Sequence, residues 1–138
     1  YTINVLEQIK EDQMVLNELL KKLKKGGGIY IYVPAFNFLW TPLDNEVGHY
    51  RRYTRREIFK KLKNAGFQKI EVEYADSAGF FATLIFKLFS YKPKKVSVKT
   101  IKIFDKYIFP VGRVFDSIIF KYLFGKNIST FAKKSKWF

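Results

Sequence analysis

The chain has 138 residues, of which 48% are hydrophobic and 19% aromatic, so the composition predicts one folded domain with a core and excludes a largely disordered protein. It has no cysteine and a single histidine, which excludes disulfides, thiolate nucleophiles and metal sites built from cysteine or several histidines. A formal net charge of +14 favours anionic partners, whether phosphates, acidic lipids or nucleic acid.

The first third of the chain predicts a strand, a helix and a second strand. YTINVL at 1–6 is apolar and β-branched, and EDQMVLNELLKKLKK at 11–25 has apolar residues at helical spacing. The triple glycine at 26–28 leads into IYIYV at 29–33, which Pro34 ends. Because these glycines follow a helix and precede a strand, they predict a helix C-cap rather than a phosphate-binding loop. Since the chain opens on Tyr1 within a strand, without methionine or leader, we expect it to be cut from a larger protein.

The middle of the chain predicts a long loop, a helix and a third strand. The aromatic-rich segment 34–53 is too long for a simple connector, and such loops are often functional. Thr54 and Glu57 have the spacing of a capping box, which starts a helix that Gly66 closes. FQKIEVEY at 67–74 alternates as a strand. This succession of strands and helices predicts an α/β doubly wound sheet.

The remainder has a different character, with no acidic residue from Ser77 to Phe104 and six interleaved lysines. Its apolar run is too short to span a bilayer as a helix. A second helical face, kinked at Pro110, is marked by Ile101, Phe104, Ile108, Val111, Phe115, Ile118 and Tyr122. We expect a core at 1–76, an amphipathic basic helical insertion or lid at 77–125, and a last strand with a basic tail at 126–138. The insertion fits a core-facing helix or lid and an interfacial membrane helix about equally.

The segment GHYRRYTRRE at 48–57 concentrates the candidate functional residues. Arg55 and Arg56 fall in the first helical turn, where solvated charge is common. Arg51 and Arg52 precede the cap and are freer to point into a cleft. A lone histidine is more often structural than catalytic. Because His49 lies in a loop, the structural interpretation is less strongly favoured here.

Two stretches together resemble a known family. NVLEQIKEDQMVLNELLKKLKKGGGIYIYVPAF, followed by LDNEVGHYRRYTRREIFKKLKNAGF, resembles the C-terminal half of class I S-adenosylmethionine-dependent methyltransferases of the type 11/12 group. GHYRRYT is the most specific piece of this pattern. The resemblance runs from Ile3 to Tyr74 and weakens afterwards, although NISTFAKK stands where the family's last strand would end.

The resemblance implies a partial Rossmann-like doubly wound sheet, comprising strands four to seven of a seven-stranded methyltransferase sheet, with a helical insertion. The missing N-terminal half of the domain would be a partner, and without it the first strand would be an unpaired edge that favours association. Two departures from the family pattern matter. Gln8 replaces a histidine, which puts a proton-transfer role at that position in doubt, and the glycine-rich loop and ribose-binding acidic residue are absent from this chain.

The resemblance also implies S-adenosyl-L-methionine as cofactor and a set of site residues. The turn at Asn4, Val5, Leu6 and Glu7 would border the methionine and methyl end of the cofactor. The acceptor pocket would include Pro34, Phe36, Tyr50, Arg51, Arg52 and Tyr53. His49 would be the candidate general base, and Arg51 or Arg52 would clamp a carboxylate or phosphate of the acceptor.

Three function classes stay open on the sequence. We favour a methyltransferase fragment, inactive alone, that methylates a small-molecule, apolar or lipid-linked acceptor. The alternative is a basic amphipathic module that associates with an anionic membrane surface or another partner without catalysis. Nucleic-acid binding is less favoured, because no recognisable module accompanies the charge. We expect a cytoplasmic protein that can attach peripherally to the inner face of the membrane.

Overall fold

A computed structural model of the protein describes residues 1–89 and 122–136. Four strands and four helices lie in these ranges: β1 (Thr2–Ile3), α1 (Asp12–Lys22), β2 (Gly28–Pro34), α2 (Pro42–Glu46), α3 (Arg55–Ala65), β3 (Gln68–Ala75), α4 (Ser77–Phe89) and β4 (Asn127–Lys133). Two short 3-10 turns, Leu6–Gln8 and Asn37–Leu39, accompany them. The predicted helical face from Ile101 to Tyr122 and the kink at Pro110 lie outside the described residues, except for Tyr122, which is 55% exposed.

The strands form one sheet in the order β1-β2-β4-β3. Strands β1 and β2 are parallel, whereas β4 is antiparallel to both of its neighbours. The last strand of the chain is therefore inserted between β2 and β3, and it pairs with β2 along seven residues of each. The predicted α/β partial sheet is confirmed.

Strand β1 is an edge of this sheet and is shorter than predicted. Only Thr2 and Ile3 pair with β2, at Ile31 and Tyr32. The reason is Asn4, whose φ of 51° turns the backbone out of the extended conformation. The chain then passes into the first 3-10 turn, so the predicted strand at 1–6 covers a strand and a turn.

The core lies where α1 and α3 pack on the sheet. Strand β2 alternates, with Ile29, Ile31 and Val33 buried and Tyr30 exposed. The remaining buried apolar side chains include Leu6, Leu16, Ile58, Leu62, Phe67 and Ile128. Full burial of each such side chain stabilises the fold by roughly 1.5–3 kcal/mol. Helix α3 presents Ile58 and Leu62 to the core, whereas Phe59 is 42% exposed.

Helix α3 has the predicted ends. Thr54 and Glu57 form the capping box, and Gly66 ends the helix in the left-handed conformation, with φ of 101°. Helix α1 differs, because it ends at Lys22 and its C-cap is Leu23. Gly26, with φ of 74°, belongs to the turn between helix and strand. The triple glycine is thus a connecting turn rather than the helix cap itself.

Candidate functional site

Two neighbouring parallel strands, β1 and β2, end at the same edge of the sheet, where ligands bind in open α/β folds. Each strand is followed within two residues by a non-glycine residue in the left-handed region, Asn4 at φ of 51° and Phe36 at 58°. Such conformations cost about 1–3 kcal/mol and persist where the surroundings enforce them. The backbone therefore leaves both strands abruptly at this edge.

The segment 36–53 folds back over this edge. It was predicted as a loop, but it contains a 3-10 turn and α2. The backbone N–H of Tyr50 donates to the Glu7 carbonyl at 2.8 Å, which ties the segment to the turn after β1. At its end, Tyr53 N–H donates to the Pro34 carbonyl at 2.9 Å, and Phe36 N–H donates to the Tyr53 carbonyl at 2.8 Å. The segment is therefore anchored to both strand ends.

A buried ion pair fixes the interior of this segment. Arg52 donates from Nε to Asp44 Oδ1 at 2.8 Å and from Nη2 to Asp44 Oδ2 at 2.9 Å. A third bond runs from Arg52 Nη1 to the Ala35 carbonyl at 3.2 Å. Thr41 adds its backbone N–H and its hydroxyl, both to Asp44 Oδ2. Burial alone would raise the pKa of Asp44, but the hydrogen bonds from Arg52, Thr41 and His49 outweigh it and hold that pKa well below its usual range.

His49 lies between two carboxyl groups. Its Nδ1 is 2.9 Å from Asp44 Oδ1, and its Nε2 is 3.5 Å from Glu7 Oε1. Because an ionised carboxylate only accepts, Nδ1 carries the hydrogen in this arrangement and Nε2 is turned toward Glu7. The side chain is 14% exposed, so it is the member of this cluster that solvent reaches.

Glu7 is fully buried, at 0% exposure, and neither carboxyl oxygen has a hydrogen-bond partner among the described residues. Burial raises the pKa of this carboxyl, and its own backbone N–H, His49 and Arg52 only partly offset that effect. A buried acid without partners is costly for stability. Such a group is a candidate for a functional role.

The predicted cofactor-binding residues separate into two groups. Asn4 and Val5 are exposed at the strand edge, where they can face a ligand. Leu6 is 1% exposed and belongs to the core, and Glu7 is 0% exposed, so neither side chain is available for the predicted contact with the cofactor. Gln8, which replaces the family's histidine, is exposed and donates its amide to the Asn4 carbonyl at 3.2 Å.

The predicted acceptor-site residues also separate. Tyr50 is 59% exposed, and Phe36 packs on Tyr74 with ring centroids 4.8 Å apart. Pro34 is buried at the end of β2. Tyr53 is buried as well, because its hydroxyl donates to Asp12 Oδ2 at 2.8 Å within the core.

The two arginines that we assigned to an acceptor clamp have protein partners. Arg52 is committed to Asp44 and Ala35, which gives it a positioning role rather than the predicted substrate contact. Arg51 donates to the Lys10 carbonyl at 2.7 Å and lies 3.2 Å from Asp12 Oδ2. It keeps 30% side-chain exposure, so it is the arginine of the two that a ligand can reach.

Arg55 and Arg56 also differ from each other. Arg56 is exposed as predicted, but Arg55 stacks over the Tyr74 ring at 5.6 Å and donates to the Tyr122 carbonyl at 2.9 Å. Arg55 and Tyr74 line an open groove of about 600 Å³ between α3 and β3. Neither Glu7 nor His49 lines this groove, so it is distinct from the cluster at the strand edge.

Asp44 is the site residue that the sequence analysis missed. A local signal was present, because Thr41-Pro42-Leu43-Asp44 is a capping box with proline at the first helical position. That signal predicts a short helix but not the contacts with His49 and Arg52. Within residues 1–89 and 122–136, no group of three or more acidic or histidine side chains is arranged to hold a metal ion.

No protein-family model matches the sequence, and a search of curated proteins gives no significant match. Solved structures do match. An S-adenosylmethionine-dependent methyltransferase from Archaeoglobus fulgidus aligns with a TM-score of 0.54 and 16% identity, over 96% of this chain and 57% of that one. A chain of the complex that contains the Haloferax volcanii Trm112 methyltransferase activator aligns with a TM-score of 0.53 and 12% identity, over 96% and 51%.

A third match is phosphoethanolamine N-methyltransferase 2 from Haemonchus contortus, solved with phosphomonomethylethanolamine and S-adenosylhomocysteine. It has a TM-score of 0.49 and 17% identity, over 96% of this chain and 32% of that one. The first match shows that the chain has the fold of part of a class I methyltransferase, in agreement with the predicted C-terminal half. The chain spans between about a third and somewhat more than half of the length of the structures it matches.

Proposed function

We propose that this chain is half of an S-adenosylmethionine-dependent methyltransferase and that methyl transfer takes place where β1 and β2 end. The observation that carries the proposal is the buried cluster of Glu7, His49 and Asp44 at that edge. The fold of the Archaeoglobus fulgidus methyltransferase and the sequence resemblance from Ile3 to Tyr74 support it independently.

The residues present fit one side of the cofactor. Exposed Asn4 and Val5 offer an amide and an apolar surface at the strand edge. The glycine-rich loop and the ribose-binding acid are not in this sequence, so the chain supplies the methyl end alone. When bound, the cofactor supplies a methyl group on a sulfonium, and the electron pair of the broken carbon–sulfur bond stays with sulfur.

The chain's own residues would hold the acceptor and take its proton. His49 is the proposed base, because Asp44 fixes its ring through Nδ1 and directs Nε2 toward the interior. Arg52 does not touch the acceptor in this scheme but holds Asp44 in place. Phe36, Tyr50 and Arg51 remain the proposed acceptor contacts, as aromatic walls and as a cation that can pair with a carboxylate or phosphate.

We infer an apolar or lipid-linked acceptor from the surface of the segment over the edge. Phe38, Leu43, Val47 and Tyr50 are each between 44% and 61% exposed. Apolar side chains of this kind favour a water-poor acceptor or a lipid surface. No helix within the described residues has the length and hydropathy that a bilayer span requires.

The test uses the protein at its full natural length with methyl-labelled S-adenosylmethionine. Organic-solvent and aqueous extracts of the source cells serve as separate acceptor pools, which distinguishes lipid-linked from water-soluble acceptors. We expect His49→Ala to lower the label transferred by about 10²–10⁴-fold, which is the usual contribution of a general base, while binding of S-adenosylhomocysteine is retained.

Glu46→Ala is the matched control, because Glu46 is exposed in the same segment. Its transfer should equal that of the wild type. A wild-type protein that binds no S-adenosylhomocysteine would overturn the proposed function. Unchanged transfer by the His49→Ala variant would overturn only the base assignment.

The membrane proposal has a separate test with vesicles of neutral and of anionic lipid. We expect salt-sensitive flotation with anionic vesicles, because the net charge is +14. Leu43→Glu should weaken flotation, whereas Met14→Glu, at an equally exposed position on α1, should not. Absence of flotation at low salt would remove the membrane surface as a partner.

A further inference from the structure

We propose that Glu7 and His49 hold one proton between them, so that the pair, rather than either side chain alone, is the acid–base unit of the site. This inference rests on the proposed function for its role in methyl transfer. The shared proton itself is argued only from the positions of the two side chains.

The first step concerns His49 Nδ1, which is hydrogen-bonded to Asp44. Asp44 accepts from Arg52 at both oxygens, from Thr41 and from His49 Nδ1. With so many donors around it, Asp44 is ionised and can only accept. The hydrogen on Nδ1 is therefore fixed, and any further proton on His49 must be at Nε2.

The second step concerns the space between Nε2 and Glu7. The two atoms, His49 Nε2 and Glu7 Oε1, are 3.5 Å apart, and no other side chain satisfies the Glu7 oxygens within the described residues. Without a proton in this space, two lone pairs would face each other, and Glu7, at 0% exposure, has no solvent contact of its own. A proton there removes the repulsion, either as a carboxylic acid donating to imidazole or as an imidazolium donating to carboxylate. The present distance exceeds a formed hydrogen bond, so a small rotation of either side chain completes it.

The third step is the charge of the whole cluster. The positive charge of Arg52 cancels the negative charge of Asp44. The net charge of the cluster therefore depends on Glu7 and His49. One shared proton makes that remainder zero, whereas an ionised Glu7 beside neutral imidazole would be an unpaired buried charge. The Tyr53 hydroxyl, a further titratable group near Glu7, is committed to Asp12 and contributes no proton.

The balance of the reaction follows. Before transfer, the pair gives its proton to solvent and carries one negative charge. The acceptor atom then forms a bond to the methyl carbon, the carbon–sulfur bond breaks toward sulfur, and the acceptor's proton moves to Nε2. The pair ends neutral with one proton, as it began. This scheme requires an acceptor whose reacting atom carries a proton, a hydroxyl or an amine.

The test is ¹⁵N NMR of the imidazole, because ring nitrogen shifts report which nitrogen carries hydrogen. His49 is the only histidine of this chain, and in a longer protein the His49→Gln variant identifies its signals. At neutral pH we expect the wild type to show hydrogen on Nδ1 and a shared or bound proton at Nε2. In Glu7→Gln the amide can donate to Nε2, so that signal should change to that of a nitrogen without a proton.

Glu7→Asp should restore part of the wild-type Nε2 signal, and Glu46→Gln should leave it unchanged. A wild-type Nε2 signal typical of a nitrogen that neither carries nor accepts a proton would overturn the shared proton. If methyl transfer is then still observed, the proposed function stands without the pair. Loss of the Nε2 proton in Glu7→Gln without any cofactor binding would instead keep the pair and reject the methyltransferase.

Discussion

Two buried acids only five positions apart have opposite environments. Asp12, at 2% exposure, accepts from the Tyr53 hydroxyl and from Lys61 Nζ, both at 2.8 Å, and Arg51 lies at 3.2 Å. Glu7 is as deeply buried but has no hydrogen-bond partner among the described residues. Burial would raise the pKa of both, yet the bonds from Lys61 and Tyr53 lower the pKa of Asp12, whereas the pKa of Glu7 stays raised.

The difference distinguishes a buried acid that stabilises the fold, Asp12, from one that belongs to the candidate site, Glu7. Around Asp12 every buried charge is compensated, and the cluster joins the start of α1 to α3 and to Tyr53. Around Glu7 the fold leaves a proton position open. Proteins tolerate such an uncompensated group mainly where it serves binding or chemistry.

The largest expected effect comes from removing a compensating partner. Arg52→Ala would leave Asp44 buried without its bidentate partner, so we expect a loss of about 3–5 kcal/mol in the free energy of unfolding. Urea unfolding followed by circular dichroism measures it. Arg56→Ala, at an exposed position in α3, should stay within about 0.5 kcal/mol of wild type. Equal losses in the free energy of unfolding of the two variants would mean that the buried Arg52–Asp44 pair contributes no more to stability than an exposed arginine.

Asp12→Asn tests the scaffold side of the comparison. It replaces an ionised acceptor of three groups by an amide, so we expect a loss of about 1.5–3 kcal/mol at pH 7. The lowered pKa of Asp12 gives stability that is present above the ordinary carboxyl pKa and is lost as pH falls through the folded value. The stability of Asp12→Asn should therefore not show the part of the acid-induced decrease that Asp12 causes in the wild type below about pH 4. A full acid-side loss in the variant would contradict the assignment.

Thr41→Ala and Thr54→Ala compare two capping boxes. Each variant should lose about 1 kcal/mol in the free energy of unfolding. Only Thr41→Ala also removes a hydrogen bond to Asp44, and hence should disturb the ¹⁵N signals of His49. If Thr54→Ala disturbs those signals equally, the site is not locally supported by α2.

Glu7→Gln should have the smallest effect on stability, and with the opposite sign. A raised carboxyl pKa means that the folded state keeps a proton that the unfolded chain has released. Stability therefore falls as pH rises from the ordinary carboxyl pKa through the folded value. Glutamine cannot ionise, so we expect about 1 kcal/mol of added stability at pH 7 and a flatter dependence on pH. A loss of several kcal/mol would show that Glu7 is part of the scaffold.

The elements that the sequence predicted well have strong local signals. Helix α3 has a capping box, an apolar face and a terminal glycine, and β2 alternates over its full length. Strand β1 was predicted too long, because asparagine favours the left-handed conformation of Asn4 but does not require it. The resemblance predicted NISTFAKK as the end of a last strand, but the position of β4 between β2 and β3 was not predicted, since periodicity carries no information about strand order.

The site could be predicted only in part. His49 and Glu7 were both named, but from different arguments and without the contact between them. Arg52 and Tyr53 were assigned to a substrate because sequence alone does not distinguish a buried ion pair or hydroxyl from an accessible one. Asp44 was not predicted as a site residue, because its contacts with His49 and Arg52 depend on the tertiary packing of the segment.

The insertion of β4 between β2 and β3 has a consequence for biosynthesis. Gly28 pairs with Lys133 and Pro34 with Asn127, so neither β2 nor β3 can complete its backbone hydrogen bonds until Asn127–Lys133 has been synthesised. During translation both strands wait as open edges that invite misassociation. Closing so long a loop also slows folding. The sheet therefore depends on a strand that is synthesised well after both of the strands it joins, and a product that lacks Asn127–Lys133 leaves β2 and β3 without their shared neighbour.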